Sequence, residues 1–132
     1  MSVTYHVNGA VEPQEVADLL TASGFLRPLD DLSRVQRMLD NAGLLITARD
    51  GDYLAGYVRA LTDFAFYCFV AELAVQPAYQ RHGIGRELLR RVREEAGDGV
   101  NMVLVASEGA DAYYPRLGWE RVERAWRIRR AR

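Results

Sequence analysis

Residues 80–85, Gln80-Arg81-His82-Gly83-Ile84-Gly85, place two glycines directly ahead of a helix. From Ile84 onward the apolar residues fall at Ile84, Leu88, Leu89 and Val92, which is helical spacing. Arg86, Glu87, Arg90, Arg91, Glu94 and Glu95 fill the other face. The glycines let the backbone turn with its N–H groups converging on one point. The helix dipole adds partial positive charge at the same end. Such a turn is an anion cradle, suited to a phosphate or pyrophosphate, with Arg81 and Arg86 beside it to add charge-assisted bonds. It is not a P-loop, which needs Gly-Lys-Ser/Thr, because all 17 basic residues are arginine. Nor is it a dinucleotide fingerprint, whose third glycine falls on Leu88. On these residues alone, the alternative that Gly83 and Gly85 merely permit a tight turn stays open. Arg90, Arg91 and Arg93 read as a solvated helix face.

Glu72 is an acid within the apolar run 66–75. A carboxylate there must be paired, hydrogen-bonded or functional. It reads either as a salt-bridged structural acid or as a general base. Asp63, in the loop ahead of that run, is a candidate for binding a cationic group. His82 reads as a spacer in the cradle, and His6 as a surface strand residue. Tyr53, Tyr57, Phe64, Phe66 and Tyr67 would suit an aromatic ligand where they line a pocket, and core packing claims more of them.

These groups need a scaffold, and the chain spells one out. Thr4–Val7 reads as a first strand. Pro13 with Glu12 and Glu15 marks a helix start, with Val16, Leu19 and Leu20 on its apolar face and Ser23-Gly24 at its end. Asp30 or Asp31 caps a second helix carrying Leu32, Val35, Met38 and Leu39 inward, closed near Gly43. Leu44–Arg49 and Tyr53–Leu61 form a hairpin about Asp50-Gly51-Asp52. Phe66–Val75 is a long strand buried on both faces, ended by Pro77. The cradle and its helix follow, to Gly97. Val100–Ala106 is apolar nearly throughout and reads as another central strand. Glu108–Leu117 is a short helix containing Pro115, and Trp119–Arg129 supplies one or two last strands. The order predicts an α/β (α+β) fold: a mixed, mostly antiparallel sheet of six to seven strands with helices on both faces.

A chain of 132 residues is one domain, residues 1–132, with enough length for a sizeable core. A net charge of −1 gives no electrostatic reason to seek nucleic acid or a membrane. The single Cys68 excludes an internal disulfide framework. No segment reads as a signal peptide or a transmembrane span, so the cytoplasm is the expected compartment.

The string Gln80-x-x-Gly83-x-Gly85, preceded by Leu73-Ala74-Val75-x-Pro77 and followed by Leu88-Leu89, resembles motif A of the GNAT superfamily of acyl-CoA-dependent N-acyltransferases. Tyr113-Tyr114-Pro115-Arg116-Leu117-Gly118-Trp119 is similar to the later Phe-Tyr-x-x-x-Gly-Phe segment of that family. The resemblance covers roughly residues 44–130; the first 40 match in element order only. It implies a small, bacterial-type N-acetyltransferase moving an acetyl group from acetyl-CoA to a primary amine of a small molecule, by direct transfer in a ternary complex. Acetyl-CoA would be the co-substrate, with no metal. Leu73, Ala74 and Val75 would pair with the pantetheine arm, and a backbone N–H near Val75 would serve as oxyanion donor. Gln80, Arg81, His82, Gly83, Ile84, Gly85 and Arg86 would hold the pyrophosphate. Tyr114 would protonate the leaving thiolate, with Tyr113 beside it at the cofactor. The resemblance supplies no base of its own; Glu72 stays the candidate, from its place in the strand, beside its reading as a structural acid. Ser107 stands where many family members carry an asparagine that bonds the pantetheine arm, so one hydroxyl bond replaces the amide contact there. The stretch 57–63 with Tyr113-Tyr114-Pro115 looks like a group of small bacterial GNAT proteins and, more distantly, plastid arylalkylamine acetyltransferases. Two other readings stand beside the enzyme: an acyl-CoA-binding sensor without turnover, and an acetyltransferase acting on a protein or aminoacyl-tRNA amine. The arginines between Arg121 and Arg132 bear on the latter, but their alternation with Ala125 and Trp126 fits an edge strand better. The resemblance also allows a homodimer, with the last strand as a contact.

Overall fold

The computed structural model describes residues 1–132. Five strands form one sheet in the order β1-β2-β3-β4-β5. They are β1 (Val3–Val7), β2 (Leu44–Asp50), β3 (Tyr53–Thr62), β4 (Tyr67–Val75) and β5 (Asn101–Leu104). The first three pairings are antiparallel and β4 with β5 is parallel. Helix α1 (Pro13–Ala22) and helix α2 (Leu32–Asp40) precede β2, α3 (Ile84–Ala96) joins β4 to β5, and the short α4 (Tyr113–Arg116) follows β5.

The helices start where the sequence provides caps. The Glu12 N–H donates to Glu15 Oε2 at 2.9 Å, and the Arg34 N–H donates to Asp31 Oδ1 at 3.2 Å. Two cores result, one on each face of the sheet. Helix α3 lays Ile84, Leu88, Leu89 and Val92 on Ile46, Val58, Ala60, Cys68 and Val70. Helices α1 and α2 lay Val16, Leu19, Leu20 and Val35 on Leu45, Leu54, Tyr57 and Ala74.

Strand β4 changes parity midway. Arg59 faces Glu72 across the β3–β4 ladder, but the next residue, Ala60, faces Val70. Ala71 is therefore an extra residue, a β-bulge. Before it the even-numbered Cys68 and Val70 belong to the α3 core; after it the even-numbered Ala74 belongs to the α1 core.

Three expectations need correction. The sheet has five strands rather than six or seven, because residues 119–132 form no ladder. Trp126 and Ile128 are 94 % and 100 % exposed. Strand β5 is the sheet's edge rather than a central strand, and pairs only over Asn101–Leu104; a run of apolar residues does not tell a half-covered edge from a centre. Helix α4 covers four residues only, since Gly109 lies at φ +86° and the chain ahead of Ala112 runs in turns.

Candidate active site

The cradle forms at the start of α3. Arg81 and Gly83 hold left-handed φ of +67° and +81°, which swings the chain sharply from β4 into the helix. The first α-helical bond runs from Glu87 N to Gly83 O at 3.0 Å. The N–H groups of Ile84, Gly85 and Arg86 therefore have no partner inside the helix. Arg81 and Arg86 are exposed and make no hydrogen bond or ion pair. By contrast, Arg90 pairs with Glu87 and Glu94, Arg91 pairs with Glu87, and Arg93 donates to Gly97 O and Val100 O. Two guanidiniums are thus left at the cradle and the other three are spent on the helix itself. The Gln80 side chain is committed as well: its Nε2 donates to Val75 O at 3.0 Å and ties the turn to the strand end. Ile84 is buried in the core, so only its backbone faces the cradle. His82 is exposed.

Beside the cradle lies an open strand edge. The β4–β5 ladder stops at Val70 with Leu104. Beyond the bulge, Leu73, Ala74 and Val75 pair with Val58, Tyr57 and Gly56 on one side and with no strand on the other. The Gln76 N–H donates to Ala55 O on β3 at 2.8 Å; by alternation along an extended chain, the Val75 N–H turns to the open side. Gly56 belongs to this arrangement too. A Cβ on it would stand 3.0 Å from Ala74 O and 3.4 Å from Ile84 Cγ2.

Tyr113 reaches this corner from α4. A Cβ on Gly85 would lie 3.0 Å from the Tyr113 hydroxyl, 3.7 Å from Leu73 Cδ2 and 3.9 Å from Val75 Cγ2. Gly85 therefore makes room for the phenol at the helix N-terminus. Burial raises the Tyr113 pKa, and the Arg86 charge draws it partly back. Tyr114 stacks edge-on against Tyr113 at 5.2 Å and against Trp119 at 5.7 Å. Burial, then the neighbouring Tyr113, raises its pKa, so it stays a protonated phenol at neutral pH. Ser107 sits exposed in the loop after β5, and its hydroxyl makes no hydrogen bond.

Glu72 lies on the opposite face of β4, toward the loop between α1 and α2. It is 2 % exposed. Tyr57 O–H donates to Oε1, as does Arg59 Nε at 2.8 Å, while Arg59 Nη2 and Arg27 Nη1 (3.1 Å) donate to Oε2. Burial by itself raises the Glu72 pKa; the Arg59 bonds and charge, the Tyr57 hydroxyl and the Arg27 charge outweigh it and hold it below the ordinary value. Burial and the Glu72 charge push the Tyr57 phenol well up. With four donors on two oxygens, the carboxylate has no lone pair facing the open edge of β4, so the geometry supports the paired reading of Glu72 over the base. Arg59 and Arg27 were not singled out from the sequence, and Tyr57 was read there as a pocket or core aromatic rather than as a partner of Glu72. A lone arginine and a lone glutamate on adjoining apolar strands were the available clue.

Asp63 is used locally through one of its two oxygens. Its Oδ1 accepts from the N–H groups of Ala65, Phe66 and Tyr67 at 2.8, 2.8 and 3.0 Å, and those bonds lower its pKa. It shapes the β3–β4 turn. Tyr57 is core, Tyr53 packs on Tyr79 at 5.7 Å, and Phe64, Phe66 and Tyr67 stand exposed at that turn. His6 bonds Thr4 on the surface. No helix is long and apolar enough to cross a membrane.

The sequence profile of the acetyltransferase (GNAT) family matches residues 14–119. A mycothiol acetyltransferase from Salinispora arenicola is 36 % identical over 131 residues, covering 91 % of this chain and 42 % of that protein. The chain spans about half the length of the curated relatives it matches. Among solved structures, SA2161 of meticillin-resistant Staphylococcus aureus, a protein of unknown function, superposes with a TM-score of 0.84 at 20 % identity, covering 98 % of this chain and 100 % of that one. AAC(6')-Iy, solved with a bisubstrate analog of CoA and acetylneamine, superposes with a TM-score of 0.74 at 15 % identity, covering 98 % and 99 %. At these identities the two structures establish the fold.

Proposed function

This chain belongs to the acetyltransferase (GNAT) family, and on that premise we propose that it transfers an acetyl group from acetyl-CoA to a primary amine of a small molecule, directly, within a ternary complex. The observation that carries the reading is the open edge of β4 running into the cradle: a strand-shaped groove beside free N–H groups and two unpaired guanidiniums. That combination fits a ligand with a peptide-like arm and a pyrophosphate. The donor set fits acetyl-CoA, which supplies an activated thioester. The solved neighbour with its CoA analog lends the same support by fold.

Each residue then has a task. The backbone from Arg81 to Arg86 and the side chains of Arg81 and Arg86 hold the pyrophosphate. Gln80 keeps the cradle fixed to the strand end, and His82 and Ile84 hold its shape. Leu73, Ala74 and Val75 pair with the amide-bearing arm as an added strand would. The Val75 N–H, turned to the open side, donates to the carbonyl oxygen as charge develops there, a contribution of about 3 kcal/mol in acyl transfer. Tyr113 closes over the arm at Gly85. Tyr114, next in the chain and kept protonated by burial, gives its proton to the leaving thiolate. Ser107 offers one hydroxyl to the arm. The amine's proton leaves to solvent water, since Glu72 is fully engaged by Arg59, Tyr57 and Arg27. Glu72 instead holds the α1–α2 loop against β4 beside the reacting groups.

Thiol release from acetyl-CoA, measured against arylalkylamines, polyamines, amino acids, aminoglycosides and short peptides, tests this. Turnover on one small-molecule class is the expected result. Binding of acetyl-CoA without turnover on any member would shift the reading to a sensor or a macromolecular acceptor. Absence of acetyl-CoA binding would overturn it altogether.

A further inference from the structure

The cluster at Glu72 carries more positive charge than the acid needs. Arg59 alone meets the carboxylate with both arms of its fork, Nε to Oε1 and Nη2 to Oε2, and the Tyr57 hydroxyl adds a third donor. Arg59 and Glu72 are both buried, and one guanidinium neutralises one carboxylate. Arg27 brings a second guanidinium to the same acid, with Nη1 donating to Oε2 at 3.1 Å. The cluster therefore holds two cations against one anion. Setting an extra cation beside a pair that is already neutral costs desolvation with no anion of its own to offset it.

Arg27 is also the member of the cluster that meets solvent, with 29 % of its side chain exposed. Its Cζ lies 5.3 Å from the centroid of the Phe25 ring, which sets the guanidinium against an aromatic face. Nη1 is spent on Glu72 and, at 4.0 Å, on Met38 Sδ; Nε and Nη2 meet no partner in the chain. Asp18 and Asp30 line a groove of about 520 Å³ together with Arg27 but take neither of these donors, and Asp18 accepts from Gln14 instead. The loop that carries Arg27 runs beside the reacting end of β4. Ser23 Oγ, where the loop begins, lies 3.5 Å from Val75 O, and Arg27, four residues on, reaches Glu72. Glu72 and Val75 stand about 10 Å apart along an extended strand. A guanidinium edge without a partner is thus within a small molecule's length of the Val75 N–H.

We propose that Arg27 binds a carboxylate of the acceptor, so that the small amine acetylated here is an amino acid. This inference rests on the acetyl-transfer reading above and adds the acceptor's class to it. Nε–H and Nη2–H form one edge of the guanidinium, spaced for the two oxygens of a carboxylate. The arriving anion brings the charge of the cluster to zero. With its carboxylate on Arg27, the acceptor places its amine, a few bonds away, at the thioester carbonyl held by the Val75 N–H. There the nitrogen bonds to the acetyl carbon as the carbon–sulfur bond breaks. The amine gives up one proton and the sulfur gains one, leaving an N-acetyl amino acid and free CoA.

Matched pairs test this: leucine with isoamylamine, phenylalanine with phenethylamine, and 4-aminobutyrate with propylamine, each the same amine with and without its carboxylate. With acetyl-CoA as donor, kcat/KM is measured for the native chain, Arg27→Gln and Arg27→Lys, with circular dichroism as the check on folding. The native chain is expected to favour the carboxylated member of a pair. Arg27→Gln is expected to lower that preference roughly ten- to hundredfold, as for loss of a charged, two-bonded contact. A difference in amine basicity within a pair is common to all three proteins and cancels in the comparison. Arg27→Lys keeps the charge without the fork and falls between the two. Equal use of both members by the native chain would overturn the proposal. So would a loss in Arg27→Gln shared equally by both members, which would assign Arg27 to the fold alone. Should Arg27→Gln fail to fold, an undiminished preference in Arg27→Lys overturns it as well. Turnover confined to the bare amines refutes this inference and leaves acetyl transfer to a small amine standing. Acetyl-CoA bound without turnover on any pair removes that reading and this inference with it.

Discussion

Replacing Glu72 with glutamine removes one negative charge from between two guanidiniums and keeps the side chain's shape. In the native protein Tyr57 and Arg59 Nε donate to one carboxylate oxygen, and Arg59 Nη2 and Arg27 Nη1 donate to the other. Glutamine turns one acceptor into an NH2 group and sets donor against donor. Breaking a buried ion pair by removing one partner costs about 3–5 kcal/mol. Arg27 keeps 29 % of its side chain exposed and recovers some hydration, so the lower end, about 3 kcal/mol, applies. For a domain of this size that lowers Tm by roughly 10 °C. Circular dichroism melting of Glu72→Gln against the native chain at neutral pH reads this directly. A pH series adds a second check. The folded pKa of Glu72 lies below its ordinary value of 4.5. Its stabilising contribution is therefore complete above 4.5 and fades as pH falls through the folded value, so the gap between the two melting curves narrows in acid. An unchanged Tm at neutral pH, with kcat lowered by orders of magnitude and rescued at high pH, would refute the reasoning and reinstate Glu72 as the base.

Other outcomes follow from the cradle and the tyrosines. Gly85→Ala places a methyl 3.0 Å from the Tyr113 hydroxyl; the phenol must move, and the acetyl-CoA Kd, by calorimetry, rises about tenfold, or 1.4 kcal/mol. Arg81→Ala and Arg86→Ala each remove an unpaired cation and raise that Kd by roughly tenfold, with a shallower salt dependence. Arg90→Ala, whose guanidinium is spent on Glu87 and Glu94, leaves it unchanged. Tyr114→Phe lowers kcat about a hundredfold with acetyl-CoA binding retained, as expected for loss of a proton donor. Tyr113→Phe weakens binding instead, and a reversal of the two patterns would exchange their roles.

The cradle was legible because it is local. Gly83, Gly85 and the spacing of Ile84, Leu88, Leu89 and Val92 lie within three helical turns, and their geometry needs no distant partner. The helices and hairpin strands were legible for the same reason. Glu72 was recognisable as a residue needing an explanation, but its explanation came from Arg59 on the next strand and from Arg27, 45 residues away. Nothing in a linear string orders those three into one cluster. The apolar run 100–106 looked central because composition reports burial and not which neighbours supply it. The segment 119–129 carries the alternation of a strand, but alternation describes only the strand's side chains; whether a ladder forms depends on an edge elsewhere. Tyr113 and Tyr114 are alike by type, and only the resemblance set Tyr114 apart in the sequence; the close approach of the Tyr113 hydroxyl to Gly85 could be seen only in the fold.

Ala71 gives the bulge an unusual economy. Taking that single residue out would keep Glu72, Leu73, Ala74 and Val75 on their present faces and opposite their present partners on β3. Neither core would be disturbed. What would vanish is the kink: β4 would run straight on past Val70, and its hydrogen bonds to the chain after Leu104 could zip onward. The deletion would leave a well-folded protein whose groove is sewn shut. In this domain the opening is therefore a defect of register, one unpaired residue wide, kept apart from the forces that hold the fold together. Stability and access can each change without moving the other.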